Sequence, residues 1–575
     1  MKASFISRSY IFILLNLFLI TFCQPVNAES SITIDQKIDE ILEPAAGFAE
    51  SIVFWSIPIG DGKAIPLVLV ILGSTALFLT IYFRFINFRA IGVAARTIKG
   101  KYTSKDAPGQ ITHFQALSAA LSATVGLGNI AGVAVAIAIG GPGATFWMIL
   151  VGLCGMTTKF TECTLGVKFR KVDEDGSTRG GAMYYLRDGL KERGFEFLGK
   201  ILAVLFAVFC IAGALGAGNM FQANQAHEQF SNTFGILEQG WQFGLLVALL
   251  VGVVIIGGIV WIARVTSFLV PFMCAGYMLA AISVLIVNVG EIPASISLIF
   301  TEAFSGSAAV GGVIGAIIQG IKRGVFSNEA GVGSAPIAHS AVKTDRPASE
   351  GLVALLEPFI DTVVVCTMTA LVIISSGMWN VKADAMYEIN LVDKAGSGKV
   401  ITTVDEGTKF NLTGKKGSNP NPVTGDPDEW QEVKVFNKDL TGWVKSEDLK
   451  MRNGDGIWLT SEAFATVIGW FPYVLSIAVF LFAFSTMISW SYYAEQAVIY
   501  LFGKNNMVII TFKFIYCLFI VLGAAASLGN VIRLADALFF CMVVPNLIGV
   551  YFLLKVVKGE LSSYLKHVKA VDEVK

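Results

Sequence analysis

The sequence is short of charge, of paired cysteine and of histidine, and each shortage removes a class of function. Asp, Glu, Lys and Arg make up 15% of the 575 residues, against about 25% in soluble domains. Lys and Arg number 43, as do Asp and Glu, so no net charge draws a polyanion, and no basic tract points to nucleic acid. Of eight cysteines, Cys23 lies near the N-terminus and the rest lie in apolar stretches without a C-x-x-C pair. That leaves neither a metal knuckle nor a disulfide framework. The four histidines, His113, His227, His339 and His567, fall in expected loops or the tail. The approach to a metalloprotease motif at His227, "HEQFS", lacks the second histidine. An intramembrane enzyme would have little to work with.

What is present is apolar. Hydrophobic residues are 54% of the chain and the mean hydropathy is +0.66. The runs suit helices rather than barrel strands, and a bilayer needs about 20 residues per helix. About eleven spans are expected, near 64–84, 115–139, 144–167, 199–220, 241–262, 265–288, 303–321, 352–376, 467–489, 508–528 and 533–555. The chain thus reads as an all-α polytopic membrane protein. Lys2 and Arg8, the short apolar core "YIFILLNLFLITF" and "VNA" ending at Ala28 read as a signal peptide over 1–28; an uncleaved first helix is the alternative. Cleavage places the mature N-terminus outside. The connections then expected inside carry Arg84, Arg89, Arg96, Lys99 and Lys101, then Lys168, Arg170, Lys171 and Arg179, then Lys322, Arg323, Lys343 and Arg346. The outer segment "QANQAHEQFSNTFGILEQG" has neither Lys nor Arg. This alternation follows the positive-inside rule and puts the tail, 561–575, in the cytoplasm. The expected location is the cell (inner) membrane, with the lipid bilayer as solvent.

One stretch is not membrane-like. Residues 380–453 turn polar, and "KVITTV", "TKFNLTG", "EWQEVKVF" and "TGWVKSEDL" read as strands between Gly, Pro, Asn and Asp clusters. This predicts a small all-β domain inserted in an outer loop, dividing a transporter domain into 29–379 and 454–560. "GWVKSEDL" resembles the last strand of bacterial SH3-like domains. A folded loop decoration and a domain for an extracytoplasmic ligand are both open. "AGSGKV" is not a phosphate loop, because Val400 stands where Ser or Thr is required.

Inside the apolar runs, polar and glycine residues cluster. "TVGLGNIAGV", Thr124 to Val133, sets Gly126, Gly128, Asn129 and Gly132 within one expected span. Glycine weakens a helix interior by about 1 kcal/mol relative to alanine, and a buried amide needs partners. Small residues also let membrane helices pack closely, which the glycines alone would satisfy. With Asn129 and Thr124 beside them, the segment reads as a helix break, whose free N–H groups suit a carboxylate and whose carbonyls suit a cation. "FLFAFSTMISWSYY" puts Ser485 and Thr486 in a later span, with Trp490 one turn beyond. Hydroxyl oxygens suit a hard cation and the indole could wall a pocket, although hydroxyls also bond their own helix and tryptophan also favours interfaces. In "GNMFQANQ", Gln222 could read a polar ligand end or cap a helix. Gln319 to Ser340 is too polar to continue a span and reads as a broken, re-entrant or amphipathic segment. Glu162, Glu357, Asp361 and Asp536 fall in or near spans, where an ionisable group is a functional candidate.

Together, "TVGLGNIAGVAVAIAIGGPGATFWM", "RGGAMYYLRDGL", "GNMFQANQ", "IKRGVFSNEAGVGSAPIAHS", "PFIDTVVVCTMTALVI" and "AFSTMISWSYYAEQ" resemble, in order, the alanine or glycine:cation symporter family. The resemblance covers nearly all of the chain outside the leader and 380–453. It implies the LeuT-type fold: two inverted five-helix repeats, about 115–288 and 303–555, plus one extra N-terminal helix. It implies sodium-coupled import of a small neutral amino acid, alanine or glycine, by alternating access. Carried over by motif, Gly128, Asn129 and Gly132 would line the amino-acid site, with Gln222 and Trp490 facing it. The carbonyl of Val125 with Ser485 and Thr486 would hold the sodium ion. A second broken helix would lie in 303–328. The other class open to the sequence is a membrane sensor that uses 380–453 to bind a peptide or cell-wall ligand.

Overall fold

The computed structural model describes residues 33–60, 63–104, 106–174, 176–305, 312–396, 399–420, 427–451 and 456–573. The expected signal peptide lies outside these. Each interval expected to span overlaps helix, but not every one is a plain rod. Among the described residues, seven helices are long and apolar enough to cross a bilayer, and a bent pair makes an eighth. Leu67–Tyr82 and Gly240–Ile255 are apolar but shorter, and between helices Ile292–Phe304 and Gly312–Asn328 lie residues outside the described set. A count of eleven therefore does not follow from helix length. It depends on short and interrupted helices being spans.

The bent pair is His113–Thr124 with Leu127–Gly140, turned by 59°. Thr112 caps the first half through a reciprocal capping box with Gln115. Around the pair pack Ala144–Lys168, Gly258–Val287, Gly312–Asn328 and Phe471–Phe502. Side chains of the pair are almost all buried, from Ala116 to Ile137. The outer helices instead show apolar residues to the surroundings, such as Phe268, Phe272, Leu279 and Ile286 on Gly258–Val287. That inside-out surface is what a lipid solvent requires.

Residues 383–451 contain seven strands in one antiparallel sheet, ordered in space by first residues Leu449, Ala383, Lys409, Pro427, Thr441, Ile389 and Val400. Ala383, Ile389, Leu391, Phe410, Val433 and Val444 form a core separate from that of the helices. Leu449 pairs with Ala385 and Met451 with Ala383, so the sheet's first and last strands are neighbours. It meets the helices through Lys409, which ion-pairs Glu462 on the helix Ile457–Ala465.

Candidate functional site

The first helix stops because Val125 leaves helical geometry at ψ 85° and Gly126 is extended. Gly126 is needed for room rather than for an unusual dihedral: a Cβ there would overlap Thr486 Oγ1 and lie 3.2 Å from Gln222 Oε1. A single turn over Leu127–Asn129 follows before winding resumes at Ala131. The freed amides are taken by side chains. Gly126 N–H donates to Asn129 Oδ1 at 2.9 Å, and Leu127 N–H donates to Gln222 Oε1 at 3.1 Å. Among the described residues no backbone amide bonds the carbonyls of Ala123, Thr124 or Val125. Buried carbonyls in an apolar bundle require some other partner.

A cavity of only about 10 Å³ lies beside the break, lined in part by Thr124, Gly128, Gln222, Phe326, Glu329 and Trp490. Such a space admits about one water, so in this conformation the walls are drawn together. Trp490 lies flat against the helix carrying Gln222 because Gly218 offers no side chain; a Cβ there would strike the indole. The indole N–H donates to Glu329 Oε1 at 3.0 Å. Of the expected solute-site residues, Gly128, Gln222 and Trp490 meet here. Asn129 instead turns away from the cavity: its Nδ2 donates to Asp361 Oδ1 at 2.6 Å and to the Asp361 carbonyl at 3.0 Å. Gly132 is likewise absent from the lining and faces the stem of Arg323 at 4.0 Å.

On the other side of the break are hydroxyls. Thr486 Oγ1 donates to the Ser122 carbonyl at 3.1 Å, Ser122 Oγ donates to the Ser485 carbonyl at 2.8 Å, and Ser489 Oγ donates to Ser122 Oγ at 2.9 Å. Ser485 turns its own hydroxyl back to the Phe482 carbonyl. Its contribution at the break is thus a peptide oxygen, and the hydroxyls beside Thr486 are Ser122 and Ser489. Both were legible: Ser489 is one turn after Ser485, and Ser122 one turn before Gly126.

A second interruption lies just past 303–328, inside the Gln319–Ser340 segment expected to be broken, re-entrant or amphipathic. Winding continues through Asn328, and Glu329 then takes φ 58°, before the short helix Pro336–His339. Asp361 bridges the two interruptions, accepting from Asn129 on one side and from Ser327 Oγ at 2.8 Å on the other. Glu162 accepts from Asn546, and Asp536 pairs with Arg323 and, at 2.8 Å, Lys322. Every acid singled out in the spans therefore has a partner. His113 and His339 prove to be buried in helices rather than placed in loops.

An apolar bundle whose central helix opens at buried peptide groups, beside a small cavity, has the architecture of a secondary transporter. The particular family follows from the sequence match: residues 55–406 and 440–575 fit the model of the sodium:alanine symporter family. The chain belongs to that family. The match is interrupted only inside the β-sheet. The sodium/alanine symporter AgcS of Methanococcus maripaludis is 45% identical over 314 residues, 54% of this chain and 68% of that protein. The probable sodium/glutamine symporter GlnT of Bacillus subtilis is 33% identical over 365 residues, 63% of this chain and 72% of that protein. A solved structure of MhsT in complex with L-phenylalanine aligns at TM-score 0.45 and 13% identity, over 79% of this chain and 99% of the other. The chain is a multi-pass membrane protein and a cation-coupled amino-acid transporter, not an enzyme.

Proposed function

We propose that the protein is a sodium-coupled symporter that imports a small neutral amino acid, alanine or glycine, by alternating access. The observation that carries this reading is the opened helix at Val125–Asn129, with a cavity on one side and converging hydroxyls and carbonyls on the other. Sodium is the co-transported ion, held by the Val125 carbonyl, the Ser122 and Ser485 carbonyls and the hydroxyls of Thr486 and Ser489. A hard cation suits such oxygens, and no carboxylate is required. The solute sits against Gly128, with Gln222 and Trp490 as walls. Phe326 and Phe539 close the same cavity, which favours a small side chain. Asn129 acts one step removed, by holding the Gly126 amide and Asp361, and Gly132 lies in the same half-helix. The positive-inside pattern puts the loops around Arg89 and Arg170 in the cytoplasm and the β-sheet outside. The repeats occupy about 115–288 and 303–555, the second carrying a 380–453 insertion that is SH3-like in its closing strand.

Sodium bound beside the break offsets the carboxylate of the incoming solute and favours the loaded, closed carrier. Symport requires that the empty and fully loaded forms reorient and that half-loaded forms do not. Alanine uptake into proteoliposomes, with and without an imposed sodium gradient, tests this. Gradient-driven accumulation is expected; uptake indifferent to sodium would refute coupling, and no uptake of alanine or glycine would refute the solute class.

A further inference from the structure

One end of the bundle is shut by a buried chain of acids and imidazoles that the solute site does not use. Glu350 stands in the helix Pro347–Ala354, and each of its oxygens faces a histidine. His339 Nδ1 lies 2.6 Å from Oε1, and His113 Nδ1 bonds Oε2. Beyond His339, Nε2 faces Glu357 Oε2 at 3.5 Å, and Glu357 Oε1 pairs with Lys159 Nζ at 3.2 Å. Beyond His113, Nε2 lies 2.9 Å from Oγ1 of Thr103, which is half-buried and leads toward the surface. The five ionisable groups of this chain are at most 3% exposed.

The charges do not balance without a proton. Lys159 and Glu357 cancel. Glu350 is then left as a buried carboxylate with no fixed cation in contact. Arg170 is near, but its guanidinium is spent on the carbonyls of Pro108, Ser340, Val342 and Thr344. On the helix Ala144–Lys168, Glu162 and Cys163 add no positive charge, nor does Glu329 at the second interruption. On the C-terminal helix Tyr564 bonds Thr97, and Arg96 turns to Tyr102 and Asp572. A buried unpaired carboxylate is costly. One imidazolium shared between His113 and His339 neutralises it, while the other ring donates from Nδ1 as the neutral form. Burial works against a charged His339, but its contacts to Glu350 and Glu357 outweigh that and push its pKa up to about 9.

The three residues come from three elements. His113 begins the first half-helix, His339 ends the short helix after the second interruption, and Glu350 stands on a third. Opening this end must draw the foot of His113–Thr124 away from its neighbours. Water then reaches the imidazole and weakens its hold on Glu350.

We propose that His113, Glu350 and His339 form a proton-binding site linked to the transport cycle, holding one proton while this end is shut and releasing it as the end opens. The site rests on the transporter reading above, but not on which solute is carried. Acid in the compartment facing His113 holds the carrier shut, and alkali frees it.

The test uses the full-length carrier in proteoliposomes under a fixed sodium gradient, varying the pH of the compartment facing His113 from about 6 to about 8.5. Alanine uptake should rise with that pH, by at most about tenfold per unit for one proton. His113→Gln and His339→Gln should each flatten the profile. Folded variants that keep the wild-type slope, or a wild-type profile that is flat, would overturn the proposal. Should neither variant fold, a pH-sensitive dye decides on the wild type: proton uptake on adding sodium and alanine, which favour the closed carrier, supports the site, and no change overturns it. Melting temperature in detergent, read without solute, separates this from failure of the solute assignment. A fall with rising pH that the variants lack supports the site even if alanine is not carried, and an identical fall in all three proteins refutes it.

Discussion

The two ends of the central cavity are closed by opposite kinds of charge. At one, Asp536 accepts from the guanidinium of Arg323 and the ammonium of Lys322. At the other, Glu350 is held between the imidazoles of His113 and His339. Both carboxylates are fully buried. The contrast teaches that burial alone does not make a switch; the partner's chemistry does. A guanidinium can part from its carboxylate only by moving, whereas an imidazole can also lose its proton.

The largest test breaks the fixed-charge end. Asp536→Asn strands Arg323 and Lys322 inside the protein, at a cost of about 3–5 kcal/mol. Sodium-driven uptake should be lost and the melting temperature should drop at every pH, as a thermal-shift series would show. The titratable end should behave differently. The pKa of His339 is raised, so its share of stability is fully present below about 6.5 and is lost as pH rises through about 9. That share amounts to at most about 3 kcal/mol, and calorimetry of the wild type between these values should find it. Asp536→Asn should leave that slope in place, and His339→Gln should remove it. Between the two ends, Thr486→Ala removes one hydroxyl worth about 1 kcal/mol. It should raise the sodium concentration for half-maximal uptake about fivefold without altering either lock. The smallest effect belongs to the sheet, which ion-pairs the helices through Lys409. Cutting the Lys409–Glu462 pair by Lys409→Ala should change uptake by less than about twofold, since a partly exposed ion pair contributes about 0–1 kcal/mol.

Much of this was written locally and some was not. The first interruption could be read from Gly126 and Asn129 because the cause and the consequence lie within a few residues. The second was legible as a segment, Gln319 to Ser340, but not as a position, because glycine has two uses. Gly320 and Gly324 fall where a break was expected, yet they keep helix Gly312–Asn328 wound and close: a Cβ on Gly320 would lie 2.5 Å from the Ala144 carbonyl, and one on Gly324 2.6 Å from Val151. The true interruption begins at Glu329, a residue whose left-handed backbone no composition rule foretells. Pairings such as Asn129 with Asp361, or His113 with Glu350, join positions more than 200 apart in sequence. Only the packed bundle brings them together. The histidines were misplaced for the same reason, since a polar residue beside a span looks like a loop until its partner is known.

The adjacency of Ala383 and Met451 has a practical consequence. A passenger whose start and finish lie side by side looks, to its host, like a hairpin of a few residues. The site between Val381 and Gly456 is therefore a natural port for exchange, where a fluorescent protein or an affinity handle could ride on a living carrier and report its movements.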